Sequence, residues 1–223
     1  MKITNGSLDG PVGALEYILN IPEQETAPRR VAVLCHPHPL QGGTMHTRIV
    51  FHAARTLAAL GIPVLRFHFR GVGQSAGVYA GGIGEVEDAF AAMAWMRQRF
   101  PLPLVLGGFS FGSVVGLQAL ARPAGTDVSV ERYIGLGLPA SLPERLPQAL
   151  HWHGPKLFIS GTLDSFGTPA AISAYVAGLD EPKRIVWMEG ADHFLSGRMD
   201  EFAVLLRENL DFETALGKGN AHD

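Results

Sequence analysis

The pentapeptide Gly108-Phe109-Ser110-Phe111-Gly112 sets one serine between two glycines. An apolar run, Leu104-Val105-Leu106, precedes it, and Ser113–Ala121 follows with helical character. Strand, tight turn, helix is the order that a G-x-S-x-G nucleophile elbow requires. At the apex of such a turn the serine hydroxyl points outward, and the flanking glycines let backbone approach backbone where a Cβ has no room. The N–H of Phe111, at the start of the helix, is then placed to bind an oxyanion. A Gly-Ser turn with no chemistry remains the plain alternative.

A serine hydroxyl is a poor nucleophile until a base takes its proton, and the base works best when a carboxylate fixes its tautomer. The elbow arrangement calls for the chain order serine, acid, histidine. Downstream of Ser110 stand His151, His153, His193 and His222. His193 lies in Glu189-Gly-Ala-Asp-His-Phe-Leu, directly after the last predicted strand, so it falls at the carboxyl end of the sheet where active sites of this architecture gather. His151 and His153 precede a strand, and His222 sits in the tail. Among the acids, Asp164 follows the predicted strand Lys156–Ser160, again at a carboxyl end. Asp180 begins a polar turn and Asp192 adjoins His193. The expected set is therefore Ser110, Asp164 and His193, with an Asx-turn as the bland reading of Asp164.

The second oxyanion donor is expected from the loop after the strand Val31–Cys35, His36-Pro37-His38-Pro39-Leu40-Gln41-Gly42-Gly43. Prolines have no N–H to give, so His38 is the first candidate and Leu40 the second. The prolines also stiffen the loop and hold the donor in place.

The elements that must position these groups alternate. Strands are predicted at Ala14–Leu19, Val31–Cys35, Ile62–Phe67, Leu104–Leu106, Arg132–Leu138, Lys156–Ser160 and Arg184–Met188. Helices are predicted at Thr47–Leu60, Glu85–Phe100, Ser113–Ala121, Pro169–Leu179 and Arg198–Leu210. Such alternation implies an α/β fold, a mostly parallel central sheet with helices on both faces. Residues 1–214 read as one domain and 215–223 as a disordered tail. A formal charge of −3 with no basic stretch speaks against nucleic acid. No apolar segment spans a bilayer, the amino terminus carries no leader core, and a single cysteine, Cys35, suits a reducing cytoplasm. Oligomeric state is not legible.

Two G-x-G-x-x-A strings, from Gly71 and from Gly135, are set aside because neither opens a helix that would hold a pyrophosphate. The pairs His36-x-His38 and His151-x-His153 lack further ligands, so no metal and no cofactor is expected. Cys35 reads as a small core residue.

With their order in view, the segments CHPHPLQGGTMHTRIV, FHFRGVGQSAG, GGFSFGS, GTLD and ADHF resemble the α/β-hydrolase fold superfamily, and within it a group of small bacterial serine hydrolases without a lid. The likeness runs from about Val31 to Leu210. It implies the triad on Ser110, Asp164 and His193, an oxyanion loop on His36–Leu40, and a minimal cap or none. Many members carry an aspartate two positions before the arginine of Arg70-Gly71-Val72-Gly73; here His68 stands there. The reading is a serine hydrolase that cleaves small carboxylic esters or thioesters by acyl transfer to water. A thioesterase, acyltransferase or small peptidase would use the same three residues, and a binding protein could retain the fold. The connection Leu138–Lys156 holds little more than one short helix, so an open site is expected. Phe109, Phe111, Leu40, Tyr79, Trp152, Phe166 and Phe194 are candidates to line it, though core is the commoner fate of most such side chains.

Overall fold

A computed structural model describes residues 1–23, 27–122, 129–148 and 150–213. The tail expected at 215–223 lies outside the described residues. In chain order the elements are β1 (Lys2–Gly10), β2 (Gly13–Ile21), β3 (Val31–Cys35), α1 (Arg48–Ala59), β4 (Val64–Phe67), α2 (Ile83–Arg99), β5 (Leu104–Phe109), α3 (Phe111–Leu120), β6 (Val130–Leu136), β7 (Lys156–Gly161), α4 (Pro169–Ala177), β8 (Lys183–Met188) and α5 (Met199–Asn209). The strands form one sheet of eight in the order β1-β2-β4-β3-β5-β6-β7-β8. β1 and β2 run antiparallel to their neighbours, and every pairing from β4 through β3 to β8 is parallel.

The parallel strands are apolar on both faces because both are covered. Val31, Val33 and Cys35 of β3, with Leu104 and Leu106 of β5, point to a core shared with α2, α3 and α4. The alternate residues Ala32, Leu34 and Val105 face a second core closed by α1 and α5. Two-residue alternation thus divides each strand between two helical layers.

β1 is absent from the sequence reading. It is an edge strand whose side chains are largely exposed, with only Leu8 buried, so it carries no hydrophobic period. What holds it is its backbone ladder to β2, in hairpin register from Lys2↔Ile21 to Gly10↔Gly13.

The turn after β4 shows how His68 is accommodated. Oε2 of Glu16, on β2, lies 3.0 Å from His68 Nδ1 and accepts the Gln74 N–H at 2.9 Å. Ser75 Oγ donates to the His68 carbonyl at 2.8 Å and accepts the Glu16 N–H at 2.9 Å. Arg70 is locked by Asp88 of α2, which accepts its backbone N–H at 2.9 Å and its Nη2 at 2.7 Å. A carboxylate from a neighbouring strand thus braces a turn that contains no acid of its own.

His36 closes the carboxyl ends of β3 and β4 together. Its Nε2 accepts the Phe69 N–H at 3.0 Å, which leaves Nδ1 to donate to the Pro37 carbonyl at 2.6 Å. Burial pushes its pKa down to about 3, so the folded ring is neutral. The unfolded chain binds a proton there below the ordinary 6.5 and the folded chain does not, so this residue's share of stability is present above pH 6.5 and falls as pH drops toward 3. Between pH 7 and pH 5 that loss is about 2 kcal/mol. Burial lowers His68 as well, against the pull of Glu16, and adds in the same direction. Urea midpoints at the two pH values test this in the wild type and in His36→Gln, whose Oε1 can still accept from Phe69. The variant should lose markedly less on acidification; an equal loss would remove His36 as the cause.

Candidate active site

The elbow forms where β5 meets α3. Ser110 takes φ 54° and ψ −119°, a left-handed conformation that costs a non-glycine residue about 1–3 kcal/mol. Backbone ties hold it there: Ser110 N–H donates to the Leu136 carbonyl at 2.9 Å, and the Ser113 N–H and Oγ both donate to the Ser110 carbonyl. The flanking glycines are required by proximity. A Cβ on Gly108 would lie 2.2 Å from the Gly112 carbonyl oxygen, and one on Gly112 would lie 2.4 Å from the Cys35 carbonyl oxygen.

β7 ends at Gly161, and Asp164 follows in a turn that buries its carboxylate. Oδ1 accepts the N–H groups of Phe166 and Gly167 at 2.8 and 3.1 Å. Oδ2 accepts from His193 Nδ1 at 2.7 Å. The Asx-turn and the role of acid partner are therefore one arrangement, with each oxygen doing a separate job. The neighbouring cap at the start of α4 belongs to Thr168, whose Oγ1 accepts from Ala171 N at 3.3 Å.

His193 stands in the loop after β8. Asp192 builds that loop: its Oδ1 accepts the Ser196 N–H at 2.9 Å, which holds its carboxyl below the usual range, and its carbonyl accepts the Leu195 N–H. Asp192 is thus turned away from its neighbour's ring. Asp180 lies with His153, whose Nδ1 is 3.4 Å from it, and its carbonyl accepts from Lys156. His222 lies outside the described residues. The Nδ1–H of His193 faces a carboxylate, so Nε2 carries the lone pair, and Ser110 Oγ sits 3.0 Å from it. Three residues, 83 and 29 apart in sequence, form one hydrogen-bonded line. The rings of Phe166, Phe109 and Phe194 enclose the imidazole at 4.7, 4.9 and 5.2 Å between centroids.

The loop after β3 makes a 3₁₀ turn at Pro39–Gln41. The His38 carbonyl accepts the N–H groups of Gln41 and Gly43, both at 3.0 Å. Its Nδ1 accepts the Leu40 N–H at 3.2 Å, and Nε2 is 3.1 Å from the Tyr79 hydroxyl. Leu40 is accordingly set aside as an oxyanion donor: its N–H already has an acceptor, and its side chain, 71% exposed, does not line the cavity. The His38 N–H donates to no acceptor among the described residues, and that of Phe111, at the first position of α3, has no carbonyl one turn behind it.

A cavity of about 260 Å³ opens at this point. Of the expected lining, Phe109, Phe111, Phe166 and Phe194 are present. Tyr79 stands behind the lining, against His38 and Phe111, and Trp152 packs on the core with Lys156 over its ring. Arg145, which no motif or spacing singles out, lines the cavity as well.

The model of the alpha/beta hydrolase domain matches residues 29–204. The chain belongs to the alpha/beta hydrolase family. An alpha-beta serine hydrolase homologue from Coxiella burnetii is 34% identical, over 94% of this chain and 98% of its own, with a TM-score of 0.85. A lidless serine hydrolase from Xanthomonas campestris is 32% identical, over 96% of this chain and 95% of its own, with a TM-score of 0.83. A protein of Rickettsia prowazekii named only as uncharacterised is 30% identical, over 91% of this chain and 86% of its own. In this alpha/beta hydrolase the described residues of the connection from β6 to β7 hold one short 3₁₀ turn, Pro143–Arg145, in keeping with the open site expected from its length. No helix among the described residues is long and apolar enough to cross a membrane.

Proposed function

We propose that this hydrolase cleaves small carboxylic esters or thioesters through an acyl-enzyme on Ser110. The observation that carries the reading is the line from Ser110 Oγ through His193 to Asp164, at 3.0 and 2.7 Å. Nε2 of His193 accepts the hydroxyl proton as Oγ attacks the carbonyl carbon, and Asp164 stabilises the imidazolium. The N–H groups of Phe111 and His38 hold the oxyanion. His193 then gives its proton to the leaving oxygen or sulfur, and water repeats the cycle to release the acid. Every step uses side chains and backbone of this chain, so no cofactor enters. A single buried cysteine is in keeping with a cytoplasmic setting.

The cavity volume favours short acyl chains. A panel of 4-nitrophenyl esters and acyl-coenzyme A thioesters of graded chain length tests the reading. Short acyl groups should give the highest kcat/KM, with a burst of nitrophenol where deacylation is slow. A panel with no member cleaved would leave a binding protein on a retained fold.

A further inference from the structure

Phe109 and Phe111 divide the cavity on either side of Ser110. The ring of Phe109 lies 4.9 Å from His193, whereas that of Phe111 lies 4.9 Å from His38 and 6.0 Å from Tyr79. In the proposed acyl transfer, on which this inference rests, His193 protonates the leaving group, so the leaving group occupies the Phe109 side. The acyl chain then extends along the Phe111 side. There the cavity wall carries Arg145, a cation that makes no ion pair among the described residues. Its backbone is pinned to α3, because Gln118 Nε2 donates to the Arg145 carbonyl at 2.9 Å, and to its own turn, because Arg145 N–H donates to the Leu142 carbonyl at 3.1 Å.

Among the described residues no carboxylate lines the cavity to neutralise that charge. Glu85, whose field also reaches His38, is occupied by the N–H groups of Ala80 and Gly82 at 2.8 and 2.7 Å. Asp164 is taken by His193 and its own turn. Burial first, and then the charge of Arg145, hold His38 below its ordinary pKa against the opposing pull of Glu85, which places Arg145 near His38 on this side. Arg145 itself is exposed, and a guanidinium at the rim of an apolar-walled cavity is a fork for a planar anion.

We propose that Arg145 is a specificity-determining residue that reads a carboxylate at the far end of a short acyl chain. The favoured substrates are then half-esters or half-thioesters of short dicarboxylic acids. The phosphates of a coenzyme A thioester lie on the leaving-group side, a pantetheine arm away from the reacting carbonyl, and do not meet Arg145.

Mono-4-nitrophenyl adipate and 4-nitrophenyl hexanoate differ only in the terminal carboxylate and test this directly. The wild type should favour the adipate about tenfold or more in kcat/KM at low salt, and the preference should shrink as ionic strength rises. Arg145→Gln should bring the ratio to one or below, while Arg145→Lys keeps part of it. A carboxylate placed on the alcohol side, in 4-carboxyphenyl hexanoate, should show no dependence on Arg145. A wild-type ratio near one, an undiminished ratio in Arg145→Gln, or dependence on the alcohol-side carboxylate overturns the assignment. Cleavage of the neutral ester without preference overturns this assignment alone; cleavage of neither ester overturns the acyl-transfer reading with it.

Discussion

Ser110→Ala is expected to lower kcat by about five to six orders of magnitude, with KM little changed. Without Oγ there is no acyl-enzyme, and water must attack an acyl group that the oxyanion donors merely polarise. The residual rate should still exceed the uncatalysed one by about 10³–10⁴-fold, because the N–H groups of Phe111 and His38 remain in place. The fold should survive the change. Among the described residues the Ser110 side chain bonds to His193, while the turn itself is held by backbone ties to Leu136 and by Ser113. Thermal unfolding of the variant should therefore stay close to that of the wild type. Steady-state kinetics on an activated ester, with the melting curve beside them, provide the check; a loss below a hundredfold would argue against Ser110 as the nucleophile.

Asp164→Asn should cost about four orders of magnitude in kcat, for a different reason. Oδ1 of Asp164 already accepts two backbone N–H groups, from Phe166 and Gly167. An asparagine must keep its carbonyl oxygen there, since an NH₂ would face two donors. Its NH₂ is then directed at His193 Nδ1. The imidazole answers by holding its proton on Nε2, toward Ser110, where it has no lone pair to accept the hydroxyl proton. Geometry is retained and the tautomer is wrong. Unfolding measurements should show a nearly native protein, which separates this effect from collapse of the turn. A variant within tenfold of the wild type would mean that Asp164 serves the turn alone.

Much of this was legible before the structure. Val31–Cys35 reads as a buried strand and is one, because a run covered on both faces must be apolar throughout. Ser110, Asp164 and His193 are separated widely in sequence, yet each follows a strand, and parallel strands bring their carboxyl ends to one side. What the sequence hid has local physical causes. β5 continues through Gly107 and Gly108, residues that read as a break, because the strand must let α3 and β3 approach. α3 opens at Phe111 and includes Gly112, since the helix start packs against the Cys35 carbonyl. α2 begins at Ile83, two residues ahead of the expectation, with Glu85 reaching back to the N–H groups of Gly82 and Ala80. The Leu40 N–H is taken up by a side chain closing over its own loop, a contact that no periodicity encodes. Arg145 reaches the cavity only because a surface turn is tied to α3, and exposed arginines carry no mark of such a destination.

If His193 and Asp164 activate Ser110 as a nucleophile, a fluorophosphonate should label it, since only an activated serine attacks the phosphorus centre at an appreciable rate; peptide mapping then locates the adduct. One adduct per chain, on the peptide that carries Ser110, is the expected result, and it should vanish in Ser110→Ala and fade in His193→Ala. An unlabelled protein, or an adduct on another residue, would rule out Ser110 as the activated nucleophile.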